Sequence, residues 1–277
     1  MIDAEKYFLS VDEMRRLYID NVEVQKNSYL EKERTFFKYC DELHCFYVVE
    51  KENLFNKYVA PFINEYPFIE KPSSLQVIEK LHCETYHSLF LKYIWDNQNS
   101  FGYKVLSEFL NNVANDKSWF ESISMRTYNV QKEVPTKGLK NGNDKKRIDL
   151  LLVDDKNKWC IAIENKINAE IHYSNKHSQL EPYYNFCEKK YKGYDKLYIL
   201  LSYNSKNQCH VNDNWIYVDY YYVFKSLLKY HCKDLLIEDY LKTLFKLLFP
   251  KVRRDCYKNS TMYRSMWFYQ NIILKIK

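Results

Sequence analysis

The chain has 277 residues, 46% hydrophobic and 28% charged, which is the make-up of a folded protein, and its 4 Gly and 6 Pro leave little material for long linkers. No apolar run reaches the roughly 18 to 20 residues that a membrane helix needs, and charges throughout MIDAEKYFLSVDEMRR exclude a signal-peptide reading, so a cytoplasmic chain is expected. A net charge of +6 is compatible with a nucleic-acid partner, whereas the lack of Walker A, G-x-G-x-x-G and C-x-x-C patterns excludes a P-loop ATPase, a dinucleotide enzyme and a zinc ribbon.

Residues 1–70 read as a helical N-terminal extension, with Ser10 and Glu13 as a capping box, and they offer a surface for a homodimer or another protein partner. Residues 73–96 read as one helix, capped by Ser73 with Gln76 behind Pro72. A shorter helix is expected over 103–114. The period then changes to two, and 124–134 reads as a strand. The polar stretch 137–146, with Gly138 and Gly142, reads as a loop.

Two apolar runs follow, IDLLLV at 148–153 and WCIAI at 159–163. The polar DDKNK between them predicts a hairpin. A helix is expected over 174–190, strands over 196–203 and 214–223, and mostly helix over 224–277. Strands apolar on both faces with helices between them predict an α/β fold. The expected division is an N-terminal extension at 1–70, a core at 71–223 and a helical C-terminal region at 224–277 packed on that core.

Two carboxylates stand where buried strands should be apolar. Asp149 opens IDLLLV and Glu164 closes WCIAI. In an antiparallel hairpin the start of one strand lies beside the end of the next, so the two should face each other. Lys166 is two residues beyond Glu164 and should share its face. Adjacent buried carboxylates repel, and a hard divalent cation relieves that repulsion. Such an ion polarises a phosphodiester and acidifies water, while a lysine stabilises developing negative charge. These parts suit phosphodiester hydrolysis.

With these residues in view, RIDLLLVDDKNKWCIAIENKI at 147–167 resembles the PD-(D/E)XK nuclease superfamily. It looks most like a bacterial branch with R-I-D (Arg147, Ile148, Asp149), then E-N-K-I (Glu164, Asn165, Lys166, Ile167), then Gln179, Leu180 and Tyr183 or Tyr184. The resemblance implies a restriction-endonuclease-like core with a central mixed β-sheet flanked by helices, plus helical N- and C-terminal extensions. It implies Mg²⁺, with Mn²⁺ as a substitute, held by Asp149, Glu164 and the carbonyl of Asn165, with Lys166 as the water-positioning or charge-stabilising group. It implies Gln179 near a metal-bound water or the scissile phosphate, DNA as the expected substrate, and a role in phage defence or DNA repair.

The resemblance also implies an upstream helical glutamate. Glu84 falls on a stripe with Val77, Leu81, Ser88, Leu91 and Trp95, which favours it. Glu108 is the rival, on a polar face beside Lys104, Asn111 and Asn112. His87 and Ser88, three and four residues later on the same side, are expected to help orient Glu84, although for His87 a satisfied core histidine is the favoured reading. Pro182 requires the helix that carries Tyr183 to start or kink near Gln179. The alternative reading is a catalytically inactive nucleic-acid-binding or scaffold protein on the same fold. The presence of all three core residues counts against it.

Overall fold

The computed structural model describes residues 4–113, 126–136, 146–167, 169, 173, 174, 177–250, 268 and 270. The 137–146 loop expectation falls almost wholly outside these residues, as do the start of the 124–134 strand and nearly all of the chain beyond 250.

Five strands form one mixed sheet in the order β1-β2-β3-β6-β7. These are β1 (Asn129–Pro135), β2 (Arg147–Asp154), β3 (Trp159–Lys166), β6 (Asp195–Ser202) and β7 (Ile216–Asp219). The first three pair antiparallel, and β3, β6 and β7 pair parallel. A separate two-residue hairpin joins β4 (Tyr173–Ser174) to β5 (His177–Ser178). The expected mixed-sheet α/β core with flanking helices is present.

The β2–β3 hairpin has a local cause. Asp154 Oδ1 accepts from the backbone N–H groups of Lys156 (3.0 Å) and Asn157 (2.9 Å), which folds DDKNK into a turn. Both faces of the sheet are covered. On one face, alternate residues Leu150, Leu152, Ile161, Ile163, Ile199 and Leu201 pack against α4 (Glu84–Trp95), α5 (Gly102–Val113), α7 (Tyr221–Leu228) and α8 (Leu235–Leu248). On the other, Leu151, Val153, Cys160, Ala162 and Leu200 pack against Leu180, Tyr183 and Cys187 of α6 (Leu180–Lys190).

Several expected boundaries move. Helix α1 runs unbroken over Ala4–Tyr58, so Ser10 lies inside it rather than at its start. Its end, with α2 (Ala60–Glu65) and the turn at Pro67–Glu70, contributes Phe55, Val59, Phe62, Ile63 and Ile69 to the core. The single helix expected over 73–96 is two. Ser73 does cap α3 (Ser74–Val77), accepting from the Gln76 N–H, but α3 stops after one turn. Glu79 takes φ +57°, with its N–H bonded to the Gln76 carbonyl and the Lys80 N–H to the Leu75 carbonyl. This is a Schellman-type stop built on a glutamate where glycine is usual.

The helix expected from 174 begins at Leu180, which places Pro182 in the first turn, where it is tolerated. The strand expected over 214–223 ends at Asp219. The Asp219 carboxylate accepts from the Tyr221 N–H at 2.8 Å and starts α7 instead. Among the described residues no helix is long and apolar enough to cross a membrane.

Candidate active site

The β2–β3 register pairs Leu150 with Ile163, which sets Asp149 next to Glu164 at the open end of the hairpin. Asp149 Oδ2 accepts from the Asn165 N–H at 2.7 Å, so the carboxylate is pinned to β3. Glu164 is only 2% exposed. Its Oε1 lies 3.0 Å from Lys166 Nζ and accepts from Gln179 Nε2 at 2.5 Å. Its Oε2 is buried with no hydrogen-bond partner among the described residues.

Glu84, the first residue of α4, closes the other side. Its Oε1 accepts from the Ile167 N–H at 3.0 Å, and its Oε2 lies 3.6 Å from Lys166 Nζ. A carboxylate in the first turn also suits the positive end of the helix. Lys166 thus sits between Glu164 and Glu84.

This crowding shapes the electrostatics. Burial, reinforced by the Asp149 charge, drives Glu164 well above the usual carboxylate range. Asp149 is pushed up to about 6, chiefly by burial and also by Glu133 and Glu84, against the Asn165 N–H and Lys166. Burial works against the charge on Lys166, but Glu164, Glu84 and Asp149 outweigh it and raise its pKa. Glu133 is the β1 residue opposite Asp149. It takes φ +54°, a left-handed conformation unusual for a non-glycine residue, and its Oε2 lies 3.6 Å from Arg147 Nη1.

The other face of the same strand end is neutral. Asn165 Nδ2 donates to Ser88 Oγ at 3.0 Å and to the Glu84 carbonyl at 3.2 Å. Asn165 Oδ1 accepts from the Tyr220 hydroxyl at 2.5 Å. The Tyr240 hydroxyl, beside Tyr220, lies 3.0 Å from His87 Nδ1. His87 Nε2 donates to the Leu81 carbonyl at 2.8 Å, which gives Nδ1 the acceptor role towards Tyr240. Burial pushes His87 down to about 4, so the imidazole is neutral.

The structure therefore brings together Asp149, Glu164, Lys166, Glu84 and Gln179. Glu108 is not among them: it pairs with Lys229 at 2.9 Å. Tyr183 is buried where Glu164 and Asp149 bear on its hydroxyl, whereas Tyr184 packs against Tyr198. His87 is the satisfied core histidine that was expected. His87 and Ser88 direct their hydrogen bonds to Leu81, Tyr240 and Asn165 rather than to the Glu84 carboxylate. Tyr220 and Tyr240 were not found by sequence reasoning. Nothing in YYYVF or IEDYL marks one tyrosine as the partner of an asparagine 55 residues away.

No three His, Cys, Asp or Glu side chains among the described residues gather closely enough to hold a metal. Two carboxylates with one buried orphan oxygen still fit a hard cation such as Mg²⁺. That ion is typically bound through one or two carboxylates and keeps several waters. An unpartnered, buried carboxylate oxygen is costly, and a cation would satisfy it.

A family model described as the PD-(D/E)XK nuclease superfamily matches residues 74–245, more than half of the chain. No curated protein and no solved structure matches it.

Proposed function

The chain belongs to the PD-(D/E)XK nuclease superfamily, and from that premise we propose that it is a Mg²⁺-dependent endonuclease hydrolysing phosphodiester bonds of DNA. The observation that carries this reading is the buried Glu164 carboxylate, with Oε2 unpartnered, beside Asp149 and Lys166. In the reading, Asp149, Glu164 and the Asn165 carbonyl hold the cation, which when bound polarises the phosphodiester and acidifies a water.

The remaining roles fall to this chain's own groups. Lys166 supplies positive charge where the phosphate gains negative charge. Glu84 and Glu164 hold that ammonium in place from two sides. Gln179 orients Glu164 through Oε1 and leaves Oε2 unpartnered. The net charge of +6 supports a polyanionic substrate.

The test is a cleavage assay on supercoiled plasmid, single-stranded DNA circle and RNA, each with Mg²⁺ and with EDTA. Metal-dependent DNA cleavage that Asp149→Ala abolishes and Lys166→Ala lowers by roughly a hundredfold or more is the expected result. Cleavage persisting in both variants overturns the assignment of the site. Cleavage of RNA alone overturns the substrate. DNA binding without metal binding or cleavage by the wild type overturns the enzyme reading in favour of a binding protein.

A further inference from the structure

Helix α1 spans 55 residues, about 80 Å at 1.5 Å per residue, and only its last turns touch the core. Residues 10–49 are exposed throughout. Val, Tyr and Phe are frequent there and are weak helix formers, so propensity alone does not hold such a helix in water. At 100° per residue, Val11, Tyr18, Val22, Tyr29, Phe36 and Tyr47 share one stripe roughly 40° wide. Further along the same line lies Leu54, which is buried. One apolar face is therefore buried at its C-terminal end and uncovered over residues 10–49.

We propose that this face pairs antiparallel with α1 of a second copy of the chain, around a two-fold axis at Tyr29. In that register residue n faces residue 58 − n of the partner. Val11 then meets Tyr47, Tyr18 meets Cys40, Val22 meets Phe36, and Tyr29 meets itself. Every large side chain off the axis faces a small one, the arrangement that lets facing layers interdigitate. The polar interruptions of the stripe also match, since Gln25 faces Glu33. A parallel in-register pair would instead set Tyr18 on Tyr18, Phe36 on Phe36 and Glu33 on Glu33.

The area suffices. Tyr18, Tyr29, Phe36 and Tyr47 are 70%, 78%, 62% and 38% exposed. At roughly 200 Å² per aromatic side chain they alone leave about 500 Å² uncovered. Val11 and Val22 on the stripe, with Met14 and Leu43 flanking it at 65% and 68% exposed, bring the face to the roughly 800 Å² per partner of a stable complex. Charge does not oppose it: residues 10–49 carry eight Asp or Glu against six Lys or Arg, so two copies meet without strong net repulsion. A two-fold pair of like subunits is also the commonest closed assembly.

Light scattering on the full chain should give twice 33.9 kDa, and Tyr29→Glu with Phe36→Glu should return it to 33.9 kDa with the core's circular-dichroism melt retained. A wild type that weighs 33.9 kDa at micromolar concentration overturns the proposal, whatever other protein it captures. Should the double variant fail to fold, a second measurement decides. Tyr18→Cys, treated with a short thiol-to-thiol cross-linker, should link position 18 to the native Cys40 of the other copy in peptide maps. Links from 18 to 18 or from 40 to 40 overturn the antiparallel register.

Discussion

Glu164, Asn165 and Lys166 are three consecutive residues whose side chains alternate between two faces of one strand end, and the two faces could hardly differ more. Towards α6, Glu164 and Lys166 join Asp149 in a crowd of charges with a buried oxygen left unpartnered. Towards α4, α7 and α8, Asn165 sits among the neutral groups of Ser88, Tyr220, Tyr240 and His87, each of which has a hydrogen-bond partner. One face is frustrated, with like charges crowded together and one carboxylate oxygen unpartnered. The other is satisfied, and through Asn165 it ties that same tripeptide to α4 and to the start of α7. A buried polar network of this kind rigidifies only when complete, so the quiet face is what lets the charged one stay strained.

The comparison breaks most visibly if charge is removed from the crowded face. Lys166→Ala should lower cleavage at saturating Mg²⁺ by roughly a hundredfold to a thousandfold, the cost of losing one charge-stabilising donor. Asp149→Asn should abolish detectable cleavage. In EDTA it should also raise the melting temperature by about 2 to 4 °C, because an amide replaces one of two mutually repelling carboxylates. A protein that loses activity and gains stability together marks strain kept for function. A fall in melting temperature would mean that the carboxylate is structural.

On the quiet face the signs should reverse. Tyr220→Phe removes the hydroxyl that donates to Asn165 and leaves Oδ1 buried without it. It should cost about 1 to 3 kcal/mol in denaturant unfolding. Cleavage should fall roughly tenfold to a hundredfold, as when a supporting hydrogen bond behind a ligand is lost. Stability that drops with no change in cleavage would separate the two faces and end the argument that one supports the other.

What could be read from the sequence follows the same division. Period-two alternation is local, so it put Glu164 and Lys166 on one face, and the DDKNK turn set Asp149 opposite. The quiet face is made by contacts across 55 to 153 residues, and no spacing rule reaches that far. The stop between α3 and α4 was hidden because Glu79 adopts a conformation that only glycine or asparagine would have advertised. That stop is what makes Glu84 a first-turn residue rather than one in the middle of a helix.

The neutral network also carries a pH signature. His87 is pushed down to about 4 in the folded chain against an ordinary 6.5, so the unfolded chain binds more protons between those values. Stability should be full above about pH 6.5 and should fall as the pH drops towards 4, by roughly 3 kcal/mol from this group. His87→Gln should flatten that part of the denaturant midpoint against pH. A slope unchanged in the variant would assign the acid sensitivity elsewhere.

The smallest effect should come from the rival glutamate. Glu108 and Lys229 form a 2.9 Å pair whose lysine side chain is 48% exposed, and pairs so open to water contribute between 0 and about 1 kcal/mol. Glu108→Gln should therefore shift stability by less than about 1 kcal/mol and leave cleavage within about twofold of wild type. Glu84→Gln is the matched control. Its amide oxygen can still accept from the Ile167 N–H, but the charge facing Lys166 is gone, so cleavage should fall roughly tenfold to a hundredfold with the fold intact. The two substitutions delete the same charge from helices of equal length. Only the one at the N-terminus of α4 touches the strand end where the two faces meet, and equal effects from both would mean that position in the fold does not decide the role of the carboxylate.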